Sequence, residues 1–269
     1  MQRFFFWLGI LAALATGCHC AEPARPVTAA QRDEIQSRVT NHFAHVVMFK
    51  PAEGGFDSAL AVQLAPLLIQ ATAATNAAER QMDRPTPTTP LLTLSVHTNL
   101  LTIYTNDYPQ FSYIWNRTHT GPIESAATTQ GVRITLDSRG APVIWEVLHD
   151  STGAEVIYVA QSLEVLARAE FGPPQAGRKF AVERSQTDAE TTVVANVIDD
   201  GPAVMGPILY LQADNHDVSA LICRCMPAQF QNLLDQQDYE LLPANPENRD
   251  KNRFSPKPLE QRLRLPSRF

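Results

Sequence analysis

The chain has 269 residues, 44% of them hydrophobic and 19% charged, with 28 acidic against 22 basic residues for a formal charge of −6. That length suits one large domain or two small ones, and the apolar fraction is enough to bury a core. A wholly disordered or collagen-like chain is excluded, the acidic balance argues against a protein that coats nucleic acid, and four cysteines are too few for a disulfide scaffold.

Residues 1–20 read as an export segment. Arg3 precedes an apolar run from Phe4 to Ala15. The run fits the apolar stretch of a signal peptide and is shorter than the roughly 20 residues a membrane-spanning helix needs. The next most apolar stretch, Leu60 to Ala78, is interrupted by Gln63, Pro66, Gln70, Thr72, Thr75 and Asn76. The order Leu14-Ala15-Thr16-Gly17-Cys18 resembles a bacterial lipoprotein signal, with Ala15 standing where that family usually has leucine. The resemblance implies lipidation of Cys18 on sulfur, a new N-terminus at that residue, and a protein held at the cell envelope facing the periplasm or the exterior. Cleavage near Gly17 or Cys20, leaving a free secreted protein, is the alternative.

A tether and helical segment spans 21–84. Thr28 with Gln31 forms a capping-box pattern, and Ile35, Val39 and Val46 share a face beside Phe43, which predicts a helix from Thr28 to about His45. A second helix is expected from Ser58 to about Met82, with Leu60, Leu64, Leu67 and Leu68 on one stripe and Pro66 as a kink or a fresh start. The prolines between Pro85 and Pro90 make a stiff spacer.

The segment 91–243 is expected to be an α+β domain. Leu92-Leu94-Val96, Leu101-Ile103 and Phe111-Tyr113-Trp115 alternate with polar neighbours, the mark of half-buried strands. Val132-Ile134-Leu136 continue the pattern into a turn at Asp137-Ser138-Arg139-Gly140, followed by strands at Val143–Leu148 and Val156–Val159. Ser162 is expected to cap a helix with Leu163, Leu166 and Ala167 inward, stopped at Gly172-Pro173-Pro174. Further strands are predicted at Lys179–Arg184, Thr192–Ile198, Ile208–Gln212 and Val218–Cys225, then a helix from Pro227 to about Gln236. The whole predicts a largely antiparallel sheet with a few packed helices on one face, preceded by an N-terminal helical segment. Residues 244–269 are charged, proline-containing and poor in apolar side chains, and are expected to be a disordered basic tail. That tail carries a net +4, whereas residues 21–243 carry a net −11.

Phosphate loops, dinucleotide fingerprints, nucleophile elbows and zinc helices have no counterpart here, so no catalysis is evident and no cofactor is expected. The most pointed feature is Cys223-Arg224-Cys225-Met226-Pro227, since residues two apart on a strand face the same way and closely placed sulfurs suit a soft metal or redox role. Packing of both thiols as small core residues is the plainer explanation, and a strained disulfide across one intervening residue is a third. His42 and His45 sit three apart, short of the three protein ligands that zinc requires. The groups Glu146-His149-Asp150 and Asp214-His216-Asp217 are explained by turn capping and solvation, and Asp199-Asp200-Gly201-Pro202 is a turn before it is a calcium site. Phe111, Tyr113 and Trp115 are expected in the core rather than as a carbohydrate platform. The sequence thus points to an exported, lipid-anchored envelope protein with a binding or scaffolding role. Its partners would be the membrane, through the lipid, and an envelope component, with no nucleic acid. An exported enzyme or soft-metal protein using Cys223 and Cys225 is the alternative.

Overall fold

The computed structural model describes residues 46–54, 56–71, 92–116, 129–148, 155–176, 178–184, 192–201, 203–211, 218–222, 235–244 and 258–269. All lie in the unit His42–Phe269. The expected α+β class does not hold. Strand accounts for 55% of the described residues and helix for 14%, and eleven strands form one sheet curled into a nearly closed barrel. Three short helices accompany it among the described residues: α1 (Ala59–Gln63), α2 (Gln161–Phe171) and α3 (Leu259–Arg262).

The strands are β1 (Val46–Pro51), β2 (Leu67–Ala71), β3 (Thr93–Ile103), β4 (Asn106–Asn116), β5 (Thr129–Leu136), β6 (Pro142–Leu148), β7 (Glu155–Ala160), β8 (Thr192–Ile198), β9 (Ile208–Leu211), β10 (Val218–Ile222) and β11 (Asp235–Pro243). Their order in the sheet is β10-β9-β2-β1-β11-β3-β4-β5-β6-β7-β8. From β3 to β7 the chain is an antiparallel meander, as its period-two pattern predicted. The Asp137 turn also forms. Its Oδ1 accepts the amides of Arg139 (2.9 Å) and Ala141 (2.8 Å), and Gly140 takes the left-handed φ of +84° that closes the hairpin.

The N-terminal half departs from its helical expectation. The predicted helix Thr28–His45 lies outside the described residues, but Val46, placed on its face, opens β1. The second predicted helix is cut to one turn. Ser58 does cap α1, its Oγ accepting the Ala61 amide at 3.3 Å, but the chain turns at Pro66 into β2. Leu67, Leu68 and Ile69 are all buried because β2 lies between β1 and β9 with both faces covered, so it lacks the alternation that marks a strand. The boundary drawn between helical segment and sheet domain is bridged by β11, which pairs in parallel with β1 on one side and β3 on the other. The segment is polar and its pattern predicts no strand, although Tyr239 and Leu241 are deeply buried.

The concave face carries Leu94, Val96, Tyr113, Trp115, Val132, Trp145 and Tyr239, with α1 packed against it. Phe111, Tyr113 and Trp115 are core, as expected. Two tyrosines hold the α1 segment: Tyr113 Oη donates to Ala61 O and Tyr239 Oη to Pro66 O, each at 2.7 Å. Burial pushes the Tyr113 phenol far up, so it stays protonated as a donor. Gly206 lies directly on the end of this segment, its amide donating to Gln63 O at 3.0 Å. A Cβ there would sit 2.2 Å from Leu64 O and 2.4 Å from Ala65 O, both backbone atoms that cannot swing away. Gly206→Ala is therefore expected to cost about 1–3 kcal/mol, seen as a lower urea midpoint at constant m value. An unchanged midpoint would contradict the close approach.

The opposite face of β4–β7 is covered by α2 and by residues 258–269. Part of the expected disordered tail is therefore core, with Leu259, Leu263, Leu265 and Phe269 buried. Phe269 stacks on Tyr108 with ring centroids 4.2 Å apart, and Ser138 N donates to Phe269 O. Segment 179–184, predicted as a strand, contributes only an isolated bridge from Glu183 to Leu263 within a turn-rich stretch. In that stretch Glu164 and Glu183 accept backbone amides that a strand would have used.

Candidate functional site

Glu146, expected to be a solvated residue at a strand end, is instead buried at 1% exposure on β6. Arg133 lies directly opposite on β5 and donates through two nitrogens to the two carboxylate oxygens, at 2.6 and 2.7 Å. Arg262 of α3, equally buried, donates to the same carboxylate and reaches Glu155 at 3.9 Å. Thr192 Oγ1 donates to Glu155 at 2.7 Å and ties β8 into the cluster. Burial raises the Glu146 pKa, but the charges and hydrogen bonds of Arg133 and Arg262 outweigh it and hold the carboxyl below its usual range. With both oxygens engaged by guanidinium groups, Glu146 is a structural anion rather than a general base.

A concavity lies elsewhere among the described residues. A cleft of about 480 Å³ opens between the β5–β6 turn and the connector from β8 to β9. Arg139 and Pro142 from the turn, Trp145 from β6, Ser162 from α2, and Asp199 and Asp200 from the connector contribute to its wall. Ser162 does not cap α2 as expected. Helix α2 starts two residues earlier, after Ala160, whose side chain makes no capping bond. Asp200 caps it from outside, its Oδ2 accepting the Ser162 amide at 3.0 Å and its Oδ1 the Ser162 hydroxyl at 2.7 Å. A carboxylate there complements the positive end of the helix. Arg139 is paired within its own turn to the buried carboxylate of Asp137, at 2.8–2.9 Å. Trp145 is itself buried, and its indole N–H has no hydrogen-bond partner among the described residues.

Cys18, Cys223, Cys225, His42, His45, His149, Asp150, Asp214, His216 and Asp217 lie outside the described residues. Of the acidic groups singled out in the sequence, the structure brings Glu146 to the arginine cluster and the Asp199–Asp200 pair to the cleft wall. No group of three or more metal-ligating side chains occurs among the described residues, and no helix among them is long and apolar enough to cross a membrane. Trp145 carried no sequence signal beyond its place in a predicted strand, and the part of Arg262 was hidden in an apparent tail. No family model matches the chain, and the comparisons with curated proteins and with solved structures found no match.

Proposed function

We propose that the chain is an exported cell-envelope protein, anchored through lipid on Cys18, whose β domain serves binding. The observation that carries the location is the order Leu14-Ala15-Thr16-Gly17-Cys18 behind the apolar run of Phe4 to Ala15. Binding is supported by the cleft, whose walls are held before any ligand arrives: by the Asp137 turn, by the Asp200–Ser162 bonds, and by the backbone contact of Gly206. A cleft of this volume falls in the range of small-molecule sites. A single acyl chain binds membranes only marginally, whereas multiple chains on one cysteine hold a soluble domain firmly.

Cys18→Ser tests the anchor. In cells fed labelled palmitate, the native protein is expected to take up label and partition into the detergent phase on phase separation. The variant should lose both properties while keeping its unfolding midpoint. Native protein and variant alike in the detergent phase would remove lipidation from the reading and leave the apolar run of Phe4 to Ala15 as the anchor, and both in the aqueous phase would leave a secreted binding protein.

A further inference from the structure

The sheet carries a second apolar cluster, on the face opposite α1. Val46 and Met48 of β1, Leu67 and Ile69 of β2 and Ile208 of β9 share that face by register, and none is more than 8% exposed. A side chain stands up from its sheet, so its tip meets water unless a second layer lies over it. Among the described residues the only further apolar side chain packed on the cluster is Tyr210, itself on β9. The cover is narrow. On the same face Ile222 of β10 is 38% exposed on one flank, and Lys50 and Asp238 are exposed on the other.

Connectivity independently brings one segment to that place. The pairs β10–β9 and β2–β1 are antiparallel while β9–β2 and β1–β11 are parallel, so β10 and β11 run the same way. A chain joining two parallel strands of one sheet has to cross over a face. β9, β2 and β1 stand between β10 and β11, and α1 occupies their concave side. The connection, residues 223–234, is twelve residues long. Four strand spacings and the return along one short strand make a diagonal of about 25 Å, within reach of twelve residues that include two turns of helix. Met226, Phe230, Leu233 and Leu234 recur at i, i+4, i+7 and i+8, the stripe of an amphipathic helix. The other connections that leave these strands are poorer in large apolar side chains: 72–91 has Met82 and Leu91, 245–257 has Phe254, and 212–217 has none. We infer that residues 223–234 lie across the outer face of β1, β2 and β9, with that stripe against Met48, Ile69 and Ile208, and give this half of the sheet a second core. The inference is independent of the lipid anchor and of the cleft.

Photo-crosslinking in the full chain tests the placement. With p-benzoylphenylalanine in place of Phe230, irradiation is expected to link that position to Met48, Leu67, Ile69 or Ile208, read by mass spectrometry of the peptides. The same group in place of Asn232, on the other side of the stripe, should not link to them. Links from position 230 to any other surface, no link at all, or equal yields from both positions overturn the inference. Phe230→Ala is expected to lower the urea midpoint by about 1 M or more, with Asn232→Ala leaving it in place. If Phe230→Ala abolishes the transition altogether, the milder Phe230→Leu should restore it at a reduced midpoint. A native midpoint in Phe230→Ala overturns the cover as well.

Discussion

Deleting residues 258–269 is expected to abolish cooperative folding of the domain. The segment buries Leu259, Leu263, Leu265 and Phe269 against the outer face of the β4–β7 meander. At about 1.5–3 kcal/mol for each fully buried large apolar side chain, the loss is on the order of 6–12 kcal/mol. That is comparable to the entire stability of an ordinary domain, about 5–15 kcal/mol. The polar ties go too: Arg264 N to Val182 O at 2.7 Å, Ser267 N to the Glu170 carboxylate at 3.1 Å, and Asn106 to Ser267 O at 3.2 Å. The truncated chain should lose near-ultraviolet circular dichroism and its sigmoidal urea transition. Phe269→Ala provides the graded version, because it removes one buried ring, the one stacked on Tyr108. It is expected to stay folded with a loss of about 3–5 kcal/mol. A truncated chain with native unfolding behaviour would show that the segment is peripheral.

Replacing Glu146 by alanine is expected to cost about 3–5 kcal/mol, the penalty for leaving a buried charge without its partner. Arg262 is 2% exposed and would lose the carboxylate it donates to. The physical cost is desolvation of a guanidinium whose compensating anion has gone, more than the loss of attraction itself. Glu146→Gln keeps the shape but not the charge, and should recover only a minor part of the loss. Chemical denaturation at pH 7 measures both variants.

The same carboxylate links stability to pH. Its pKa is lower in the folded protein than the ordinary value of about 4.3 for an unfolded chain. The unfolded state therefore takes up a proton first as pH falls. The stabilisation is complete above the unfolded pKa, begins to fade below about pH 5, and is lost as pH falls through the folded pKa. Glu146→Ala should accordingly show a shallower decline of stability over this acidic range than the native chain. An identical slope in both would mean that other carboxylates carry the acid sensitivity.

How much was legible in the sequence depended on the range of the interaction. The meander from β3 to β7 was readable because alternation and turn chemistry act between residues a few positions apart: Val132, Ile134 and Leu136 along one strand, Asp137 and Gly140 in one turn. The β2 segment was not, since a strand covered on both faces is a continuous apolar run that reads equally well as helix. β11 was missed for the opposite reason. Its polar side chains give little pattern, and its place comes from backbone pairing with two strands that lie far away in sequence. Glu146 is legible as an acid, but its partner Arg262 is 116 residues away in a charged, proline-containing segment.

By itself, the sequence determined the antiparallel meander, its Asp137 turn and the burial of the Phe111-Tyr113-Trp115 stripe, because period two and turn propensity are local properties of the chain. Only the tertiary structure decided the all-β class, the joining of the two halves through β11, the burial of segment 258–269 and the gathering of Arg139, Trp145, Ser162, Asp199 and Asp200 around one cleft. Each of these depends on which distant segment covers a given face. Covering a face removes apolar surface and charge from water by amounts that outweigh local preference.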